Sequence, residues 1–277
     1  GFLTAKWFAT FAKPMLAAER RLIQQADAIH ANSKAIVSAV AGAYALDPND
    51  DRIFIQHHGT RDYLQSSEKL QHKSSDGVIN LLFVGRLEPR KGIDVLIDAV
   101  VKLFSRHSNV LLDIVGNDKA AFSSGKTMRE LFDENPPSAE IRNRIRFHGE
   151  VDDQRLREFY DTCDILVTPS RYESFGLMLI EGMMFGKPVI GCRAGGMVEV
   201  IDDGVTGFLA EPGDSASLVA CIERLIVSPE LRESMGQAAR KAYETQFSTR
   251  AMAEGVERLM LECENRWLAQ RDLKRVG

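Results

Sequence analysis

From Val78 onward, short apolar runs alternate with stretches in which apolar residues return every three or four positions. The runs are Ile79 to Val84, Val110 to Val115, Ile145 to His148, Ile165 to Thr168 and Val189 to Cys192, each rich in Val, Ile, Leu or Phe. Short runs of this kind predict buried strands. Asp94 to Phe104, Asp153 to Tyr160 and Gly176 to Phe185 carry the helical period between them. The alternation predicts an α/β fold with a doubly wound parallel sheet and helices on both faces. Such sheets bind ligands beyond the carboxyl ends of their strands, at the loops Gly85 to Gly92, Gly116 to Lys126, Gly149 to Asp153 and Pro169 to Gly176.

Upstream, helices are expected at Ala17 to Gln25 and Ser33 to Tyr44, around the run Ala28 to Ala31, with a short strand at Arg52 to Gln56. The polar stretch Gln65 to Gly77 reads as a linker. After Asp214 the pattern is helical, at Ser215 to Ile226, Pro229 to Thr245 and Thr249 to Trp267, and the tail is expected to dock. The chain opens at Gly1 and runs into Phe2, Leu3, Trp7, Phe8 and Phe11 at helical spacing. We read this as an amphipathic helix cut from a longer protein, its packing partner lying upstream; the alternative is a helix on a membrane surface beside Lys6 and Lys13.

Composition narrows the classes. At 277 residues, 44% hydrophobic and 27% charged, the chain is globular and long enough for two domains. A net charge of −4 implies no broad basic face, which argues against a nucleic acid partner. Cys163, Cys192, Cys221 and Cys263 form no C-x-x-C pair, and His57-His58 belong to no H-E-x-x-H, so neither a metal site nor a disulfide framework is indicated. A reducing, cytoplasmic setting fits. No apolar run approaches the ~20 residues of a membrane span, and no secretory signal pattern is present.

Two loops concentrate the chemistry. The strand ending at Val84 leads into Gly85-Arg86, and Lys91-Gly92 opens the next helix, so two cations leave one strand end. A guanidinium and an ammonium there can neutralise a diphosphate without a metal; alternatively they are solvated surface charges. The second loop, Pro169 to Gly176, holds Glu173, with Glu181 on the helix beyond. Eight helical steps span about 12 Å, beyond the roughly 5–9.5 Å of a glycosidase carboxyl pair. The amides of Ser174 to Leu177 lie between the two acids at a helix amino end, a natural anion site. A ligand with two phosphates between two hydroxyl-rich groups matches that layout, since carboxylates accept from hydroxyls. A nucleotide sugar has it. Solvated helix charges are the plainer alternative for both acids.

These residues resemble the C-terminal half of the retaining glycosyltransferases of family 4, which have two facing Rossmann-like domains in the GT-B arrangement. The resemblance runs through Phe83 to Gly92 (FVGRLEPRKG), Phe147 to Val151 (FHGEV), Asp164 to Glu181 (DILVTPSRYESFGLMLIE), Gly186 to Val189 (GKPV), Gly195-Gly196 with Glu199, and Asp203 to Phe208 (DGVTGF). Ala26 to Ser33 (ADAIHANS) and His58-Gly59 resemble the end of the family's N-terminal domain and its crossing segment. The resemblance implies a remnant of the N-terminal domain over residues 1–58, a crossing segment and linker over 59–77, and a donor-binding Rossmann-like domain over 78–247. A C-terminal helix over 248–277 would pack back on the N-terminal part. It also implies that Arg86 and Lys91, beside Gly85, bind the donor diphosphate and stabilise the leaving nucleotide. Glu173 would hold the sugar, Glu181 the ribose, the amides of Phe175, Gly176 and Leu177 the sugar and phosphates, and the turn at Gly149 to Val151 the base. A metal would be dispensable. Retention at the anomeric carbon follows by resemblance, with Glu173 as a sugar-positioning group rather than a covalent nucleophile. The family's work on surface polysaccharides and glycolipids implies a saccharide or lipid-linked acceptor and peripheral contact with the inner membrane face.

Two departures stand out. At Gly116-Asn117-Asp118 many relatives have a second glycine and a compact loop, whereas this loop is longer. The upstream half, which supplies the acceptor site, is missing, so the chain alone is expected to keep donor-site residues and little or no transferase activity. A catalytically silent nucleotide-sugar-binding module is the alternative. An NAD-dependent dehydrogenase is disfavoured, because no G-x-G-x-x-G follows the first strand.

Overall fold

The structure is a computed structural model and describes residues 7–64 and 77–276. The expected helix start at Phe2 and Leu3 and nearly all of the linker Gln65 to Gly77 lie outside the described residues.

The N-terminal piece begins with a π-turn at Phe8–Ala12 that runs into helix α1, Lys13–Gln25. Strand β1, Ile29–Ala31, pairs in parallel with β2, Ile53–Ile55, and helix α2, Lys34–Tyr44, crosses between them. Ser33 caps α2 by accepting from the Ile36 N–H. Arg52 donates to the carbonyls of Ile23, Gln24 and Ala26, placing a cation at the negative end of α1.

The main body is a six-stranded, wholly parallel sheet in the order β5-β4-β3-β6-β7-β8. Its strands are β3, Ile79–Val84; β4, Val110–Val115; β5, Ile145–Gly149; β6, Ile165–Val167; β7, Val189–Cys192; and β8, Gly207–Ala210. The helices are α3, Ile93–Phe104; α4, Met128–Glu134; α5, Ala139–Arg142; α6, Asp153–Thr162; α7, Leu177–Met184; α8, Met197–Val200; α9, Ser215–Val227; α10, Pro229–Ala242; and α11, Thr249–Val276. Alternate residues of β3 face opposite layers, as strand geometry requires. Leu81 and Phe83 pack with Leu96, Leu103 and Ile222 of α3 and α9, while Leu82 packs with Phe159, Leu179 and Tyr243 on the other face.

All five strands expected from Val78 onward are present. The sequence pattern missed β8, four residues beginning at a glycine, and the short helices α4, α5 and α8. Gly207 is needed there because a Cβ would overlap the Val189 carbonyl. The α4 start was readable, since Thr127 and Glu130 form a capping box. Helix α10 stops at Ala242, short of the expected Thr245, and a π-turn at Tyr243–Phe247 turns both aromatic rings into the core. Helix α11 runs past Trp267 because no glycine or proline interrupts residues 256–276.

Helix α11 meets the N-terminal piece. The Gly59 N–H donates to Met252 Sδ at 3.2 Å, Gly255 lies against Gln56, and the Arg266 guanidinium covers the Phe54 ring at 5.1 Å. The chain builds β3, β4 and β5 outward in one direction, then returns to lay β6 beside β3 and continues the other way. The sheet therefore reverses order between β3 and β6. A crevice opens beyond the carboxyl ends of strands at such a reversal, and the loops after β3 and β6 meet there.

Candidate functional site

The β3 loop is shaped by glycines. Gly85 holds φ +154°, and the Lys91 stem lies across it, with Cδ and Cε 3.8 Å from where a Cβ would stand. A single 3₁₀ turn at Pro89–Lys91 ends at Gly92, φ +69°, and a Cβ on Gly92 would overlap the Pro169 carbonyl. The two loops therefore approach as closely as backbones can. Lys91 is only 7% exposed as a result, a burial that a lysine tolerates only with a partner.

Glu173, also 7% exposed, is that partner. Lys91 Nζ donates to its Oε1 at 2.6 Å, and Ser170 Oγ donates to the same oxygen at 2.7 Å. Arg90 Nη1 reaches Oε2 at 3.3 Å and donates to the Tyr172 carbonyl at 2.9 Å. The backbone carrying Glu173 is pinned from behind. The Gly196 N–H donates to the Glu173 carbonyl at 2.8 Å, and a Cβ on Gly195 or Gly196 would overlap the carbonyls of Glu173 or Ser174.

Gly176, φ +104°, then starts α7 without a side-chain cap. The first N–H groups of a helix have no intrahelical acceptor, so this amino end offers donors and a positive dipole to an anion. The Phe175 ring is buried and contacts His57, His58 and Phe247, which leaves only its backbone for a ligand; Leu177 is exposed. One turn along α7, Glu181 accepts from the buried Tyr160 hydroxyl at 2.6 Å. Burial pushes the Glu181 carboxyl above its ordinary range, the Tyr160 hydrogen bond opposes that shift, and Asp153 adds to it. The Tyr160 hydroxyl is raised well above its usual value, chiefly by burial and then by the charge of Glu181.

The structure thus joins Lys91 and Glu173 directly, with the amides of Phe175, Gly176 and Leu177 following on the same loop. Arg86 stands apart: its side chain is 63% exposed and pairs at 3.2 Å with Glu88, which also accepts from Arg90 at 3.0 Å. Its guanidinium is linked to Glu173 through Glu88 and Arg90 rather than by direct contact. Val151 packs against the α6–α7 core layer, and Asp152 caps α6. The long Gly116 loop folds back: Asp118 accepts from the Met128 and Arg129 N–H groups, and Asn117 donates to Glu150 at 2.9 Å. Sequence reasoning missed Arg90, Ser170 and Tyr160 as partners. Only the position of Arg90 and Ser170 inside the two marked loops signalled them.

The N-terminal piece also reaches this loop. Ser33 Oγ donates to the Ser174 carbonyl at 2.6 Å, and Glu199 accepts from the Lys34 and Ala35 N–H groups at 2.9 and 3.0 Å. Glu199 thus occupies the amino end of α2.

Comparison with known proteins places this geometry. The profile of the glycosyl transferases group 1 matches residues 65–242, and the chain belongs to that family. The D-inositol 3-phosphate glycosyltransferase of Streptomyces griseus is 29% identical over 245 residues, covering 80% of this chain and 51% of that protein. The D-inositol 3-phosphate glycosyltransferase 2 of Catenulispora acidiphila is 32% identical over 217 residues, covering 74% and 50%. The chain spans about half the length of these curated relatives. In three dimensions it superposes on HepE of Anabaena, solved in complex with UDP and glucose, with a TM-score of 0.72 at 23% identity, covering 94% of this chain and 69% of that one. The fold is of the GT-B type: a six-stranded parallel Rossmann-like sheet with a smaller, two-stranded parallel α/β piece ahead of it. Among the described residues no helix is long and apolar enough to cross a membrane.

Proposed function

We propose that this chain carries the donor site of a metal-independent glycosyltransferase of retaining family 4, which moves a sugar from a nucleoside diphosphate to an acceptor hydroxyl. One observation supports this reading above the others: the Lys91–Glu173 contact lies at the sheet's switch point, next to the uncapped amino end of α7. A diphosphate resting on those amides meets Lys91 on one side, while the exposed Arg86 exchanges its pair with Glu88 for the phosphates. Departure of the nucleotide concentrates negative charge as the sugar gains oxocarbenium character, and fixed positive groups stabilise that state more than the ground state.

Glu173 positions the sugar. Oε1 already accepts from both Lys91 and Ser170 and Oε2 from Arg90, so of about four acceptor sites one is left, on Oε2, and it is aimed for a sugar hydroxyl. Glu181 takes the ribose hydroxyls, with Tyr160 holding its carboxylate from behind. The acceptor, saccharide or lipid-linked, is read by the half of the relatives' length that this chain does not span, so the chain alone binds donor and turns over little.

Calorimetric titration of UDP, GDP and ADP tests the reading on the wild type and on Arg86→Ala/Lys91→Ala. One nucleotide binding the wild type and the double variant at least roughly tenfold more weakly is the expected result. Equal affinity in both removes the diphosphate assignment.

A further inference from the structure

The Lys91–Glu173 contact joins side chains on two separate loops, and something must hold those loops in register. Arg171 spans them. Its backbone N–H donates to the Arg90 carbonyl at 2.8 Å, its Nη1 donates to the Pro89 carbonyl, and its guanidinium forks onto Asp94 at 2.8 and 2.7 Å. Asp94 sits in the first turn of α3, where the helix dipole favours a carboxylate. Pro89 and Arg90 immediately precede Lys91, and Arg171 lies two residues before Glu173. The Pro169 carbonyl against Gly92 closes the same seam.

We propose that Arg171 and Asp94 are a positioning pair for donor binding: they latch the Pro89–Lys91 turn to the Glu173 loop and thereby aim the Lys91 ammonium. This rests on the donor-site reading above. Neither residue meets the ligand. Each side chain is 38% exposed, while Lys91 and Glu173 are buried. A planar fork with one carboxylate and one carbonyl as acceptors fixes the turn in rotation as well as distance, which an ammonium cannot do. Without it, the single 3₁₀ turn keeps the main-chain bond to Arg90, Arg90's own side chain, the approach of Gly92 to Pro169 and the Lys91–Glu173 bond, and loses the fork that fixes its rotation. Lys91 then samples positions off the diphosphate.

The test is a titration of UDP, GDP and ADP into wild type, Lys91→Ala, Arg171→Ala, Asp94→Asn and Arg171→Ala/Lys91→Ala, with thermal unfolding of each. Arg171→Ala and Asp94→Asn are expected to weaken the bound nucleotide by roughly tenfold while remaining folded at the titration temperature. In the Lys91→Ala background, Arg171→Ala is expected to add less than about twofold, because its effect passes through Lys91. A general loss of stability does not produce that non-additivity. Should Arg171→Ala fail to fold, Asp94→Asn, close in shape, carries the test. Affinity within about twofold of wild type in the folded variants, or a fully additive double variant, overturns the latch and leaves the donor site standing. A wild type that binds none of the three nucleotides overturns the donor reading, and the latch with it.

Discussion

Lys91 and Glu173, 82 residues apart in the chain, are joined by a 2.6 Å hydrogen bond between two buried side chains. In the proposed donor site this contact divides the work between nucleotide and sugar. Lys91→Ala is expected to weaken nucleoside diphosphate binding by tenfold or more at roughly 1.5–3 kcal/mol for a charged hydrogen bond. Glu173→Gln is expected to leave the free nucleotide within about twofold and to lose the added affinity of the sugar-bearing form, because only the sugar meets that carboxylate. Titrating a nucleoside diphosphate and its sugar ester against both variants separates the roles; equal losses for both ligands in both variants contradict it.

Glu181 supplies a pH dependence. Its pKa is raised by burial, so the folded protein holds this proton more tightly than the unfolded chain does. The associated stability is greatest below the ordinary carboxylate value and falls as pH rises from there through the raised folded value. Ribose hydroxyls need the ionised acceptor, so nucleotide affinity climbs over that same interval. Glu181→Gln is expected to flatten both slopes relative to wild type. Comparing the two proteins cancels the phosphate's own titration, and parallel pH profiles contradict the assignment.

Gly92 serves the close approach of the two loops. Ala there combines a left-handed backbone with overlap on the Pro169 carbonyl, so Gly92→Ala is expected to destabilise by roughly 2–4 kcal/mol. Gly42, where an added Cβ would meet no atom within 4 Å beyond its own stretch of helix, is the control. Its Ala variant is expected to be neutral or to gain up to about 1 kcal/mol in helix α2. Chemical denaturation of both distinguishes the packing role from loss of glycine in general.

Residues that precede the linker hold the Glu173 loop and its neighbour Glu199. Ser33→Ala removes a helix cap and the bond to the Ser174 carbonyl, and is expected to cost about 1–2 kcal/mol. Glu199→Gln keeps an acceptor but loses the charge at the α2 amino end, for about 0.5–1 kcal/mol. Hydrogen exchange should show faster exchange at the Lys34 and Ala35 amides, which donate to Glu199. Protection unchanged in both variants contradicts the contact.

Four of the five expected strands were legible because they are buried on both faces and so read as continuous apolar runs, whereas the edge strand β5 showed only Ile145 and Phe147 alternating with polar residues. Strand β8 was not, because Gly207–Ala210 holds only two strongly apolar residues, Phe208 and Leu209, between a glycine and an alanine, with no β-branched residue among them. Lys91 and Glu173 were legible as loop residues at strand ends, yet their mutual contact was not, since nothing local encodes a distance across 82 positions. Arg90 was hidden by its type: an arginine beside a lysine reads as a solvated surface charge until the partner loop is seen. Tyr160 read as one more apolar position of α6, and only the fold brings its hydroxyl to Glu181.

The central claim is that the crevice between the β3 loop and the amino end of α7 receives a nucleoside diphosphate. A crystal structure of this chain with UDP tests it most directly. The account predicts the diphosphate on the Gly176 and Leu177 amides with Lys91 and a reoriented Arg86 upon it, and the ribose on Glu181. UDP bound elsewhere, or phosphates turned away from Lys91, contradicts it.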